Sequence, residues 1–214
     1  MLRLVDDLWR DLDRLARMGA TPVAIAFDPA AWAVAIYRIG RALLAMPAPL
    51  RLPLRLLHRP LELAVRAVTG VNLPLEAEIG GGLYIAHTGG IRVSPLAHIG
   101  RDCNLSRGAT IELGARRGES GAPWIGDRVY IGPGVRVTGP VRIGNDAAIG
   151  ANALVNGDVP DGGAVGGPLP KAIPNRAARA SVLPGRHRSP AADQIRKFLR
   201  GVLPRPTQIL LRTG

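Results

Sequence analysis

A six-residue spacing of aliphatic residues runs through the middle of the chain, between Ile79 and Val159. Small or polar residues follow nearly every aliphatic position, as in Ile79-Gly80 and Ile131-Gly132. A repeat of this short, fixed period is typical of a parallel β-helix whose aliphatic side chains point inward. The aliphatic positions are Ile79, Ile85, Ile91, Ile99, Leu105, Ile111, Ile125, Ile131, Val137, Ile143, Ile149 and Val155.

The six-residue register breaks twice. Two extra residues lie between Ile91 and Ile99, and eight lie between Ile111 and Ile125. Because a repeat scaffold expels insertions to its outside, we expect residues 112–124 to form a protruding arm. Counting in hexads predicts that both insertions leave the same corner of the triangular coil.

Three helical segments are predicted ahead of the repeats. Apolar residues recur at helical spacing from Val5 to Arg17. Asp28-Pro29 favours a helix start, and a third helix over about residues 52–68 is expected to be kinked or interrupted near Pro60 and to stop at Gly70. These helices would cover the open first coil of the β-helix. One apolar face of the second helix is predicted to contain Trp32, Ala35, Ile36, Ile39 and Leu43.

The chain therefore divides into an N-terminal helical region (1–70), a β-helix domain (71–175) and a basic tail (176–214). The tail is rich in Arg, Ala and Pro, and this composition predicts partial disorder with one helical stretch. Docking of the tail on an acidic carrier protein or on anionic lipid is an alternative.

Charge and composition limit the classes of partner. A net charge of +12 allows nucleic acid, an anionic membrane surface or a phosphorylated substrate as partner. Aromatic residues make up only 4% and do not alternate with the basic residues, which argues against nucleic acid. The single cysteine, Cys103, fits a reducing compartment, and no apolar run suits a signal peptide or a membrane span. These features predict a cytoplasmic protein.

Several motifs resemble serine O-acetyltransferases of the left-handed β-helix hexapeptide-transferase superfamily. They are Val71-Asn72-Leu73-Pro74, the run from Ile79 to Ile91 with its His87-Thr88-Gly89-Gly90, and the run from Ala122 to Gly132. The His-Thr-Gly-Gly run and Tyr37-Arg38-Ile39-Gly40 are closer to the serine-acetyltransferase-like enzymes of bacterial polysaccharide and secondary-metabolite clusters. The resemblance covers about residues 28–173.

The resemblance implies a left-handed parallel β-helix and direct acetyl transfer from acetyl-CoA to a hydroxyl. It also implies a homotrimer with active sites between neighbouring subunits; pairing into a dimer of trimers stays open. His87 matches the family's general base, and an imidazole with a pKa of about 6.5 can accept the hydroxyl proton at neutral pH. The arm leaves a different corner from that of His87, so we expect the arm of one subunit to cover His87 of another.

The resemblance also implies a donor site. The small residues Gly132, Gly134, Gly150 and Ala151 match positions along which the family lays CoA, where little bulk lets a ligand approach the backbone. Lys171 matches a basic residue that faces the CoA phosphates.

Four positions depart from the family's pattern. Its second active-site histidine and the arginine before it fall on Ala122 and Gly121, while two of its aspartates fall on Ala86 and Asn72. In the family these groups hold the charged ends of serine and orient the catalytic histidine. The departures therefore predict an acceptor other than free serine.

Asn72 and Glu112 are the expected assistants of His87. Asn72 can hold one imidazole tautomer by hydrogen bonding, but it cannot stabilise imidazolium as a carboxylate does. Glu112, where the family has glycine, and Glu119 are candidate replacement acids.

The sequence favours an acyl-CoA-dependent O-acyltransferase acting on a sugar hydroxyl or a biosynthetic intermediate. A true serine O-acetyltransferase, a transferase that uses an acyl carrier protein, and a non-catalytic partner subunit remain alternatives. A zinc carbonic anhydrase on the same fold needs three converging histidines, and His58 and His187 lie outside the repeats, so no metal is expected.

Overall fold

The structure, a computed structural model, describes residues 2–167. Four helices come first: α1 (Leu2–Arg17), α2 (Pro22–Phe27), α3 (Pro29–Leu44) and α4 (Ala48–Thr69). The Asp28 side chain caps α3 by accepting from the Ala30 amide, and Gly70, with a φ of 65°, ends α4. None of the helices in this part of the chain is long and apolar enough to cross a membrane.

Fourteen short strands then form three parallel sheets, which the chain visits in the repeating order A, B, C. Each circuit is one coil, and the turns between sheets are the A–B, B–C and C–A corners. Sheet A contains β1 (Val71–Asn72), β4 (Ile91–Val93), β7 (Thr110–Glu112), β12 (Arg136–Thr138) and β15 (Leu154–Val155). Sheet B contains β2 (Glu78–Ile79), β5 (His98–Ile99), β10 (Trp124–Ile125) and β13 (Arg142–Ile143). Sheet C contains β3 (Tyr84–Ile85), β6 (Asn104–Leu105), β11 (Tyr130–Ile131), β14 (Ala148–Ile149) and β16 (Ala164–Val165).

The aliphatic hexad positions fill the inside of the coils, as predicted. Ile99, Ile125 and Ile143 stack in sheet B, and all three have no exposed surface. The residue before each inward position faces outward, because successive side chains of a strand alternate. The six-residue spacing thus sets the core of the coils.

The smaller insertion lies at a different corner from the one predicted. Val93, rather than Ile91, pairs with Ile111, so the spacing from this strand to Ile99 is the regular six residues. The extra residues lie instead before Gly90, in the C–A corner of the first coil. The prediction was wrong because Ile91 and Val93, two apart on one strand, both point inward and either could anchor the count.

The larger insertion leaves the A–B corner of the third coil as a β-hairpin. Strands β8 (Gly114–Arg116) and β9 (Glu119–Gly121) pair antiparallel. Arg117 and Gly118 join them with φ of 52° and 87°, as a two-residue hairpin turn requires. Next to the hairpin's turn, Arg116 forms an ion pair of 3.0 Å with Asp158 of the last coil.

The N-terminal helices cover the first coil through polar side chains. The guanidinium of Arg38 donates to the carbonyls of Ile79 and Gly80 at 2.6 and 2.7 Å. The Tyr37 hydroxyl donates to the Ala77 carbonyl at 2.7 Å, and the Asp11 carboxylate accepts from the Leu83 amide at 2.8 Å. The helices therefore satisfy backbone groups that the first coil would otherwise leave without partners.

Two details of the helices differ from the predictions. Trp32 and Ile39 are exposed, whereas Tyr37 and Arg38 are buried, because α3 turns its polar hydrogen-bonding side chains toward the coil. Helix α4 is also not interrupted near Pro60, which was one of the two predicted alternatives, although a proline inside a helix removes one hydrogen bond.

Candidate functional site

His87 lies on the enlarged C–A corner of the first coil. Four residues lie between the inward Ile85 and the left-handed Gly90, whereas two lie between Leu105 and the equivalent Gly108 of the next coil. The added length carries the exposed His87 side chain. Among residues 2–167 no partner forms a hydrogen bond or ion pair with its imidazole, which is free to meet a ligand.

Asn72, the residue predicted to orient His87, lies at the start of the β-helix. It lies on β1, half-buried, and lines a cavity of about 20 Å³ with Glu62, Val65 and Arg66 of α4. Within the described part of the chain, the structure shows no hydrogen bond between Asn72 and His87. The predicted role of Asn72 in orienting His87 therefore stays a prediction.

Glu112 is also remote from His87 within one subunit. It is half-buried on β7, next to the A–B corner from which the hairpin leaves, whereas His87 is at the C–A corner. Two coils separate the residues along the axis, which is about 10 Å at the spacing of neighbouring strands. Glu119 is exposed on β9, in the hairpin.

The predicted donor-binding residues share the C–A corner with His87. Gly132 and Gly134 lie on this corner in the third coil, and Gly150 and Ala151 in the fourth. A Cβ on Gly132 would lie 2.8 Å from the Ile149 carbonyl oxygen, so stacking of the coils already explains this glycine. Ala151 is exposed and available to a ligand. Lys171 and the basic tail lie outside the described residues.

An outward column on sheet A lies between the C–A and A–B corners. Arg92, Thr110 and Arg136 stand in register on neighbouring strands, and both arginines are exposed. The Thr110 hydroxyl is buried and has no hydrogen-bond partner in the described part of the chain. This column gives the face between His87 and the hairpin a cationic character that the sequence analysis missed. Thr110 and Arg136 each directly precede a predicted inward position, but Arg92 precedes Val93, which the six-residue count had not placed inside.

A second outward column, on sheet B, contains His98 and accounts for its contacts. Its Nδ1 lies 3.3 Å from the Glu78 carboxylate, and its ring stacks on Trp124 with centroids 5.1 Å apart. The guanidinium of Arg142 lies 4.2 Å from the centre of the Trp124 ring. His98 therefore has a packing role on a face distinct from that of His87.

Two grooves in the described region lie away from His87. One of about 970 Å³ runs between α1 and sheet C, and its Arg10 and Arg128 are already paired with Asp102 and Asp146. Another, of about 630 Å³, includes His98 and Asp127. Neither includes His87.

Comparison with known proteins identifies the family. The model of the bacterial transferase hexapeptide (six repeats) matches residues 122–157. The serine acetyltransferase of Helicobacter pylori is 35% identical over 115 residues, covering 54% of this chain and 67% of the relative. This chain belongs to the serine acetyltransferase-like hexapeptide transferases. The serine acetyltransferase of Mycobacterium tuberculosis is 39% identical over 113 residues. This match covers 53% of the present chain but only 49% of the length of the relative.

Solved structures of serine acetyltransferases confirm the left-handed parallel β-helix predicted for this family member. The Neisseria gonorrhoeae enzyme in complex with serine superposes with a TM-score of 0.63 at 27% identity, covering 81% of this chain and 70% of that one. The soybean apoenzyme has a TM-score of 0.64 at 24% identity, covering 81% and 70%, and shows the shared fold.

Proposed function

We propose that this protein is an acetyl-CoA-dependent O-acetyltransferase in which His87 is the general base. The observation that carries the proposal is the exposed imidazole of His87, which has no partner among the described residues and lies on the enlarged C–A corner, the corner that also holds the predicted donor positions. The serine acetyltransferases among its relatives support the same reaction class.

His87 would move one proton in each direction. Its unprotonated ring nitrogen takes the proton of the acceptor hydroxyl as the hydroxyl oxygen attacks the thioester carbonyl carbon. When the tetrahedral intermediate collapses, the carbon–sulfur bond breaks, and the imidazolium returns the proton to the departing CoA sulfur. The products are the acetyl ester and free CoA, and His87 ends unprotonated.

The active site would lie between subunits of a trimer. His87 lies at the C–A corner and the hairpin leaves the A–B corner, on opposite sides of sheet A. The hairpin of one subunit therefore cannot cover His87 of the same subunit. A threefold arrangement would place the hairpin and Glu112 of one subunit near His87 of the next. In this arrangement Glu112 could supply the negative charge that Asn72 lacks.

The donor would lie along the C–A corner. Ala151 is exposed there, and none of the described residues accepts a hydrogen bond from its amide, which could therefore donate to the amide-rich arm of CoA. We keep Lys171 as the proposed contact for the phosphates. A cytoplasmic location is part of the same proposal.

The proposed acceptor is a hydroxyl of a sugar or biosynthetic intermediate rather than free serine. Gly121 and Ala122, at the base of the hairpin, offer no charged group for an amino acid. True serine acetyltransferase activity is the second candidate, because the superposing gonococcal enzyme was solved with serine. A carrier-protein partner gains no support from the described residues.

A release assay for the CoA thiol, with serine and a panel of sugar and small-molecule hydroxyl acceptors, tests these candidates. We expect at least one non-serine hydroxyl to give a higher kcat/KM than serine. Highest activity with serine would contradict the acceptor proposal and support the second candidate. Acetyl-CoA binding without turnover on any acceptor would favour the non-catalytic partner subunit.

A further inference from the structure

Helix α4 presents a long apolar face to solvent. It has 22 residues, about 33 Å in length, and only His58 and Thr69 are buried. Leu57 and Val68 are each 75% exposed, and Leu56 is 68% exposed. Isolated exposed leucines need no explanation, but a contiguous patch of this length marks an interaction surface.

The exposed face contains no polar side chain. At 3.6 residues per turn, about half of the helix circumference carries only apolar residues, all of them exposed. They are Pro49, Leu50, Leu52, Pro53, Leu56, Leu57, Pro60, Leu61, Leu63, Ala64, Ala67 and Val68. We call this set the α4 apolar face.

Arginines border the α4 apolar face. Arg51, Arg55, Arg59 and Arg66 lie on the flank between this face and the buried side of the helix, and all four are exposed. Glu62 is the one acid in α4, and it already pairs with Arg59 at 3.1 Å. The flank therefore carries an excess of positive charge, which favours an anionic partner.

Two prolines leave backbone carbonyls on the same face. Pro53 and Pro60 have no N–H, so the carbonyls of Pro49 and Leu56 lose their helical donors. Pro49 and Leu56 both lie on the α4 apolar face, where a dry protein interface would bury these carbonyls without partners. The hydrated headgroup boundary of a bilayer can supply water to them.

We propose that α4 lies on the surface of an anionic lipid bilayer, with its apolar face in the headgroup–acyl boundary. The arginine flank contacts lipid phosphates, as in amphipathic helices that bind membranes in the interface plane. A second copy of the chain fits less well, because it would bring another arginine flank and would cover the two free carbonyls. The transferase site at His87 is outside this surface.

Vesicle flotation of the full-length protein tests the proposal. Wild-type protein should float with phosphatidylcholine–phosphatidylglycerol vesicles and much less with phosphatidylcholine alone. Leu57→Glu should weaken this binding at least about tenfold, because a carboxylate replaces a leucine in the acyl boundary. Leu96→Glu is the matched control: it adds the same charge at a leucine that is 73% exposed on the β-helix, and it should bind like the wild type.

Three outcomes would overturn the proposal. The wild type could fail to float, or both variants could lose binding equally, which would assign lipid binding to charge elsewhere in the chain. Alternatively, the wild type could fail to bind vesicles while light scattering shows that Leu57→Glu lowers the oligomer mass. That result would mean that a second copy of the chain covers the α4 apolar face.

Discussion

Arg38→Ala is expected to lower the free energy of unfolding by about 3–5 kcal/mol, because it leaves the buried Asp11 carboxylate without its countercharge. Arg38 and Asp11 form a 2.8 Å ion pair, and both side chains are 3% exposed. The same substitution removes the donors to the Ile79 and Gly80 carbonyls. Denaturant unfolding measures the loss. Arg10→Ala breaks a more exposed arginine–aspartate pair, with Asp102, and should cost about 0–1 kcal/mol.

The cost of Arg38→Ala should depend on pH. Burial raises the pKa of the Asp11 carboxyl above its usual range, while the hydrogen bond and charge of Arg38 lower it. Without Arg38 the folded-state pKa rises further above the unfolded value, so the variant is stabilised by protonation and loses stability as the pH rises through the folded pKa. The stability gap to wild type should therefore narrow in acid. A gap that stays constant or widens in acid would show that Asp11 is not an unpaired charge in the variant.

His87→Ala should reduce acetyl transfer roughly 100- to 10,000-fold, the usual contribution of a positioned general base. Steady-state release of the CoA thiol, with the best acceptor from the panel, measures the loss. The fold should be unaffected, because the side chain is exposed and has no partner among the described residues. Unfolding curves that match the wild type would separate a chemical effect from a structural one.

His98→Ala is the matched control for His87→Ala. His98 also lies on the outside of the β-helix, but it packs on Trp124 in sheet B. We expect its removal to leave kcat within about threefold of the wild type and to affect mainly stability, since it loses an aromatic stacking contact. Equal loss of activity in both variants would remove His87 from its assigned role.

The sequence predicted the coils well because their constraint is local. Each inward position, such as Ile131 or Ile149, needs an aliphatic residue, and each tight corner needs a small or polar residue. The six-residue period is therefore visible in the amino-acid sequence itself. The face of α3 was not predictable in this way. Its buried residues include Tyr37 and Arg38, whose partners are backbone carbonyls about 40 positions later in the chain.

The candidate site was predicted in part. His87 came from its resemblance to the general base, and the register of the sheets placed it on the same corner as Gly132 and Ala151. Asn72 follows α4 by three residues, but its place beside a cavity lined by that helix depends on how α4 packs at the start of sheet A, which no local pattern encodes. The Arg92, Thr110 and Arg136 column required the exact strand register, which the ambiguity between Ile91 and Val93 had obscured.

Subunit complementation tests most directly whether the site at His87 is shared between subunits. His87→Ala protein and a variant lacking hairpin residues 115–120 should each be inactive alone. Co-expressed with different affinity tags and purified through both, they should regain measurable acetyl transfer, because an intact hairpin from one subunit meets an intact His87 from the other. Mixed assemblies as inactive as their two parents would contradict an intersubunit site.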